Sequence, residues 1–398
     1  MLVEGYSSLD NRMAVVREEP LACTWLQTRE DRTPLLRLQA NPNYWDKARG
    51  PHLQEIVFRN DLPTEQALAL VCDEEGQVDL VTHIAPQFAE RVERSRHAKL
   101  VAIDAIRSVA GVINRDAVGL PFSDVRARQA LNHAIDRDRL IQETLAGRAQ
   151  PLGSLTPPAA VTFLHRLSPY QHNTKRAAEF WREAGGVQSR PVRIAAAREL
   201  EKVTQRVAKD LEEALGISTE ILMYEGEEYN AVRQRLASKN SPQDWDILLL
   251  EQGCQAADAP TLEIHRAFVG ETGEFRAGPI VPKFEQLYAD LPRHTSPIML
   301  AQVSYNIDKL VYEEALALFL YAPQSLYAVN KHVEFEPYRT TFELADCKVT
   351  RQHWSVKKRG VVNLVKGGLG PKSGTPLTIS RTDDGTSSLS SSERGMSS

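Results

Sequence analysis

The chain has 398 residues, of which 42% are apolar and 25% are charged, so it is long enough for two or three domains with sizeable cores. Its net charge of −4 argues against a basic nucleic-acid-binding surface. The four cysteines and ten histidines show no metal-ligand spacing. We therefore predict no metal, no cofactor and no nucleic-acid partner.

The opening residues lack the basic and apolar regions of a signal peptide, and no window is apolar enough for a membrane span. As written, the chain is predicted to remain cytoplasmic, without membrane insertion.

The first regular elements are two strands around a corner, NPNYWDKARGPHLQEIVFR, at 41–59. Proline cannot donate to a strand ladder, so Pro42 and Pro51 mark where one strand ends and the next begins. Tyr44 and Trp45 lie between them and are expected to pack against the core as apolar anchors, while an exposed aromatic pair that stacks on a ligand is the minority interpretation. A helix beginning near Pro63 and the short strand VDLV follow.

The segment SDVRARQALNHAIDRDRLIQETLAG has the clearest helical spacing in the chain. Ser123 or Asp124 is a suitable N-cap, and Gly147 is a suitable terminator. We predict one continuous helix here, and a second in SPYQHNTKRAAEFWREAGG.

Residues 191–253 alternate strand, helix, strand, helix, strand, which predicts a parallel sheet. Ligands of such sheets bind beyond the carboxyl ends of the strands. The loop EQGCQAADAP, which follows Leu250, is therefore the expected site. A last helix and a return strand, YAPQSLYAVN, precede a basic and then serine-rich tail, for which disorder is predicted from about 366.

No hydrolase, kinase, dinucleotide-binding or metalloprotease motif stands in a suitable context, so we do not predict an enzyme. His265 is a lone histidine near the expected site, and a structural hydrogen-bonding role is the more common one. Asp258 has two interpretations. It can accept a hydrogen bond from a ligand ammonium, or it can cap the helix that PTLEIHRAF predicts, with Pro260 in its first turn.

Several segments, in this order and approximate spacing, resemble one family. They are NPNYWDKARGPHLQEIVFR, EEGQVDLV, LPFSDVRARQALNHAIDRDRLI, SPYQHNTKRAAEFWREAGG, DWDILLLEQG and QSLYAVNKHVEFEP. They are similar to segments of the solute-binding proteins of oligopeptide, dipeptide and nickel ABC importers, the extracellular family 5 group. The resemblance runs from about Pro20 to Cys347, and its third segment is the most specific.

The resemblance implies an α/β, two-lobed fold of the type II periplasmic-binding-protein or Venus-flytrap kind, with mixed sheets. Its lobes would close over a solute, which ABC permease subunits then receive, so the function would be binding and not catalysis. It also implies a monomer in the periplasm or cell envelope. The domain bounds that follow are 1–19 as a lead-in, 20–115 as part of lobe I, 116–325 as lobe II with its core at 191–253, 326–355 as a return into lobe I, and 356–398 as the tail.

By the same resemblance, the ligand is a peptide or a similar small solute held in the cleft between the lobes. Contacts are expected from the hinge (Asn114), the GSLTPP loop (Thr156) and the loop after the last parallel strand (Gln255 and Asp258). The family's carboxylate for the ligand amino group aligns with Ala256, so Asp258 stands two residues late.

The family has further first-lobe residues ahead of the segment that Pro20 begins, so lobe I is expected to be incomplete. Two alternatives follow. The same domain serves as the effector-sensing half of cytoplasmic transcription regulators, which the missing export signal favours. The second alternative is that the chain is a non-functional fragment, in which sheet edges stay uncovered.

Overall fold

The structure is a computed structural model that describes most of the chain between Cys23 and Arg381. The described residues are 23–28, 35–41, 43–46, 51–59, 61–160, 167–186, 189–239, 242–253, 261–339, 344, 346–357 and 376–381. In chain order the strands are β1 (Cys23–Thr28), β2 (Leu35–Ala40), β3 (Glu55–Arg59), β4 (Leu80–Thr82), β5 (Ala98–Asp104), β6 (Arg107–Ile113), β7 (Ala149–Pro151), β8 (Val192–Ala197), β9 (Thr219–Tyr224), β10 (Ile247–Gly253), β11 (Ala317–Asn330), β12 (Val333–Glu334), β13 (Lys348–Val349) and β14 (Pro376–Arg381).

Helices alternate with these strands through most of the chain. They are α1 (Thr64–Cys72), α2 (Ala89–Glu93), α3 (Val125–Ala134), α4 (Arg137–Leu145), α5 (Thr174–Glu183), α6 (Glu201–Leu215), α7 (Gly226–Ser238), α8 (Arg266–Val269), α9 (Pro282–Asp290) and α10 (Pro297–Glu313). A π-helical turn, Thr261–His265, leads directly into α8. None of the described helices is both long and apolar enough to span a bilayer.

The elements divide into two compact units. Unit 1 contains the described residues of 1–102, 326–337 and 342–398, and unit 2 those of 103–325 and 338–341. The chain crosses between the units within β5 and again within β11. The family resemblance predicts the first boundary after 115. The crossing lies earlier because β6 pairs along its full length with β10, a unit 2 strand, and also with the first part of β11.

Unit 1 is built on a mixed sheet in the order β1-β2-β3-β14-β4-β11. Its core includes one face of α1, where residues three and four apart are buried: Ala67, Leu68, Val71 and Cys72. They cluster with Val81 of β4 and Ala328 of β11, so the helix covers the sheet at these strands.

The sheet includes β14, which lies in the tail. The expectation of disorder from about 366 does not hold for these six residues. The segment PLTISR contains β-branched Thr378 and Ile379, and its backbone forms parallel ladders with strands on both sides.

The corner at 41–46 also differs from its prediction. Asn41 accepts hydrogen bonds from the backbone of Asn43 at its side chain (2.9 Å) and of Tyr44 at its carbonyl (3.2 Å), which makes a tight turn. Trp45 stands on this turn with 72% of its surface exposed, so the prediction that it packs against the core is wrong. Tyr44 is half-buried, and its ring centroid lies 5.8 Å from that of Trp45.

Unit 2 contains the predicted β-α-β-α-β run. β8 pairs in parallel with β9 and with β10, while β6 lies antiparallel to β10 and to β11. Alternate residues of β10 enter different cores: Ile247 and Leu249 one, Leu248 and Leu250 the other. The sheet is therefore covered on both faces, which explains the unbroken apolar run ILLL.

The long predicted helix at 123–147 is two helices, α3 and α4. Asp124 caps the first by accepting from the backbone of Arg126 (2.8 Å), as predicted, but Ile135 is extended. Asp136 then caps the second by accepting from the backbone of Arg139 (3.1 Å). Helical spacing survives across the break because both helices bury apolar residues in the same core, so the sequence pattern alone shows no interruption.

Candidate ligand site at the end of strand β10

A polar cluster stands at the carboxyl end of β10 in unit 2. The antiparallel register places Arg107, the first residue of β6, opposite Gly253 at the end of β10. Because β8, β9 and β10 are parallel, this is the end of the sheet where ligands of such folds bind. The loop that follows, 254–260, lies outside the described residues, and it includes Gln255 and Asp258.

Arg107 and Glu251 form the charged part of this cluster. The Arg107 Nη1 atom lies 2.5 Å from the Glu251 Oε1 atom, and Nη2 donates to the Ser325 hydroxyl at 3.0 Å. About a quarter of each charged side chain remains exposed, 24% for Arg107 and 27% for Glu251. The pair is thus ordered yet reachable, with a guanidinium suited to a carboxylate and a carboxylate suited to an ammonium group.

Asp104 lies at the end of β5, three residues before Arg107 in the chain. Its two carboxylate oxygens accept from the side-chain amides of Gln150 (2.9 Å) and Gln324 (3.0 Å). This joins the end of β5 to β7 and β11 near the point where the chain leaves unit 2.

The structure places Asn114 at the other end of the same sheet. Its backbone N–H donates to the backbone carbonyl of Asp246 (2.9 Å), and its side-chain oxygen accepts from the backbone N–H of Asp116 (3.2 Å). From there to Arg107 the strand rises roughly 23 Å at about 3.3 Å per residue. Asn114 is thus not brought together with the end of β10.

Thr156 is buried and faces inward. Its hydroxyl donates to Asp308 of α10 (2.8 Å), and the same carboxylate oxygen lies 2.7 Å from His265 Nε2, although off the line of a hydrogen bond. Both partners are buried. The Thr156–Asp308–His265 cluster therefore joins the GSLTPP loop, α10 and the π-helical turn that follows the 254–260 loop.

Sequence reasoning missed the charged pair itself. The available signal was Glu251, a carboxylate directly after the apolar run of a strand buried on both faces. Its partner stands 144 positions earlier, and only the antiparallel register brings the two together.

Among the described residues, no group of three or more His, Cys, Asp or Glu side chains is arranged to hold a metal ion. Two cysteine thiols, Cys72 and Cys347, are free and buried. Burial raises the pKa of Cys347 to about 12, so this thiol is protonated and unreactive at neutral pH.

Residues 29–263 match the family described as bacterial extracellular solute-binding proteins, family 5, middle part. This range is more than half of the chain and contains the β8–β10 sheet. The chain belongs to this family. The resemblance drawn from the sequence is thereby confirmed.

This family 5 chain is 26% identical to the glutathione-binding protein GsiB of Shigella flexneri over 163 aligned residues. The aligned segment is 41% of this chain and 30% of the relative. Among solved structures it is similar to the substrate-binding protein CtaP of Listeria monocytogenes, with a TM-score of 0.71, 15% identity, and coverage of 83% of this chain and 66% of the other. It is also similar to NikA of Brucella suis in complex with Fe(III)-EDTA, with a TM-score of 0.68, 18% identity, and coverage of 83% and 68%.

These likenesses confirm the predicted fold, the two-lobed α/β fold of type II periplasmic binding proteins. The family 5 chain spans less than a third of the length of its curated relative.

Proposed function

We propose that this chain is a solute-binding component of an ABC importer and binds peptides or similar small solutes. The observation that carries the proposal is the family match over 29–263. GsiB is a glutathione-binding protein, and a similar structure, DppA of Helicobacter pylori, is a complex with a peptide (TM-score 0.62, 19% identity). By the same reasoning, the chain acts outside the cytoplasm as a monomer, delivers its solute to permease subunits, and catalyses no reaction.

The cluster at the end of β10 supports a zwitterionic solute. A peptide carries an ammonium group and a carboxylate, and the Glu251–Arg107 pair offers one group of each opposite charge. Opening this pair for a ligand exchanges one set of charge-assisted hydrogen bonds for another. We assign Glu251 to the ligand ammonium and Arg107 to the ligand carboxylate, and we retain Gln255 and Asp258 as contacts from the following loop.

Thr156 and Asn114 have different parts in this proposal. Thr156 acts through Asp308, which anchors the loop and the π-helical turn behind the site, and does not itself touch the solute. Asn114 belongs to the predicted hinge and lies at the far end of β6 from Arg107.

A thermal-shift screen against tripeptides, glutathione and nickel–histidine tests the proposal. A bound solute raises the melting temperature in a concentration-dependent way because it binds only the folded protein. Failure of every solute to shift a cooperatively melting sample would contradict the proposal.

The site assignment is tested separately with Glu251→Gln. Losing one charge-assisted contact should weaken binding of a peptide hit by about tenfold or more. Glu220→Gln on β9 is the matched control, since Glu220 is an exposed carboxylate of the same unit. Equal affinity of Glu251→Gln and Glu220→Gln would overturn the assignment but not the function.

A further inference from the structure

Strand β14 fills a slot between β3 and β4 of unit 1. It runs parallel to both neighbours, with Pro376–Ser380 opposite Glu55–Arg59 on one side and Ile379–Arg381 opposite Leu80–Thr82 on the other. Each edge of this six-residue strand therefore meets a ladder partner.

Within the described sheet of unit 1, β14 is the link between two ladders. β1, β2 and β3 form an antiparallel meander, and β4 pairs with β11. In the sheet order β3 and β4 are neighbours of β14 and not of each other. Without β14, both would present rows of backbone N–H and C=O groups to solvent, which is the property of a strand-accepting edge.

The strand that fills the slot is distant in sequence from the strands that line it. β3 and β4 lie inside the range that matches the family, 29–263, whereas β14 begins at Pro376, beyond that range. The stretch 358–375 separates β14 from the preceding described residue, Lys357, and contains five glycines. Among the described residues, the contacts shown to hold β14 in place are its two ladders, with β3 and with β4.

We propose that the gap between β3 and β4 is a binding slot for an extended segment, which this chain fills with its own residues Pro376–Arg381 and which accepts the same segment as a separate peptide. Recognition is by strand addition, with backbone hydrogen bonds along both edges of the added strand. The tail is then an internal ligand of unit 1 and can be exchanged.

The full-length variant Thr378→Pro tests whether the slot depends on β14. Thr378 lies opposite Val57 in the ladder, and proline has no N–H and does not fit a central strand. Hydrogen exchange should become about tenfold faster or more at the amides of β3 and β4 but stay unchanged at β8 and β10. The control Thr386→Pro, the same change outside β14, should behave like the wild type.

A labelled peptide of residues 374–383, GTPLTISRTD, tests whether the slot accepts the segment in trans. It should bind the Thr378→Pro variant saturably. Its affinity for the wild type should be lower by at least about tenfold, because the tethered tail competes for the slot at a high effective concentration. The same peptide with Thr378→Pro should not bind.

Three results would overturn the proposal. One is unchanged exchange at β3 and β4 in Thr378→Pro. Another is an equal affinity of the peptide for Thr378→Pro and for the wild type, or no binding of the peptide to Thr378→Pro. The third is loss of protection in unit 2 as well, because β14 would then be a requirement of the whole fold and not the occupant of a slot.

Discussion

At the scale of single residues, Asp246 shows how a buried charge fixes the start of β10. Its carboxylate accepts two hydrogen bonds from the Arg190 guanidinium (2.6 and 2.7 Å) and one from the backbone of Arg193 (2.8 Å). Burial alone would raise the pKa of Asp246, but the hydrogen bonds from Arg190 and Arg193 outweigh it, so the pKa lies below its ordinary value.

Asp246→Asn should therefore lower the free energy of unfolding by about 1–3 kcal/mol, because it weakens the charge-assisted hydrogen bonds from two arginines that stay partly exposed to water. Urea denaturation measures this loss. The control is the neighbouring Asp244→Asn, which should cost below about 1 kcal/mol, since Asp244 is half-exposed and lies 3.5 Å from Arg235. Equal losses in the two variants would contradict the assigned role.

The same residue predicts a pH dependence. A carboxyl group whose pKa is lower in the folded than in the unfolded state stabilises the fold above the unfolded value, near pH 4. This contribution is lost as the pH falls through the folded pKa. Below about pH 4, the unfolding free energy of the wild type should fall more steeply than that of Asp246→Asn. Urea denaturation at a series of pH values measures both, and an equal pH dependence in the two proteins would contradict this prediction.

At the scale of elements, buried polar side chains attach α3 and α4 to β11. Asn132 accepts from the backbone of Phe319 (3.1 Å) and donates to the carbonyl of Ala317 (3.0 Å). Arg137 donates to the carbonyls of Phe319 (2.8 Å) and Tyr170 (3.1 Å). The buried polar residues of the motif that made the family resemblance most specific, Asn132 and Arg137, therefore have a structural role, since they bind backbone groups of neighbouring elements.

Arg137→Lys tests this attachment. Burial lowers the pKa of Arg137 to about 10, and its planar fork serves acceptors in several directions, which an ammonium group cannot reproduce. We expect a loss of about 2–4 kcal/mol in unfolding free energy by urea denaturation. Arg139→Lys on the same helix, where Arg139 pairs with Glu143 at the surface, should cost below about 0.5 kcal/mol. A loss no larger than this control's would refute the structural role.

The elements also show what the sequence could predict. The β8–β10 run and its helices were predictable because apolar spacing reports burial directly. The break between α3 and α4 was not, because both helices keep one buried face. The role of β14 was not predictable either, since a short strand in a polar tail depends on ladder partners that stand hundreds of residues earlier.

The candidate site follows the same rule. Its proposed place at the end of β10 follows from the parallel pattern of strands 191–253. Its residues did not follow, because Arg107 and Glu251 meet only through the antiparallel pairing of β6 with β10, strands that are distant in sequence. A contact predicted from resemblance, such as Asn114, is located along the chain, but the resemblance does not say which residues of the neighbouring strands it lies beside.

At the scale of the whole molecule, membership of the solute-binding family makes ligand binding the central claim. The chain spans 30% of its curated relative and 66% of a structural one, so binding has to be measured on this chain itself. The net charge of −4 gives no strong field for attracting a charged solute, so the proposed recognition depends on local groups such as the Glu251–Arg107 pair.

Isothermal titration of the purified chain with the tripeptide, glutathione and nickel–histidine panel tests this claim most directly. We expect saturable heat with one solute bound per chain, for at least one member of the panel, and weaker binding after Glu251→Gln. A well-folded sample that gives no saturable heat with any of them would contradict it.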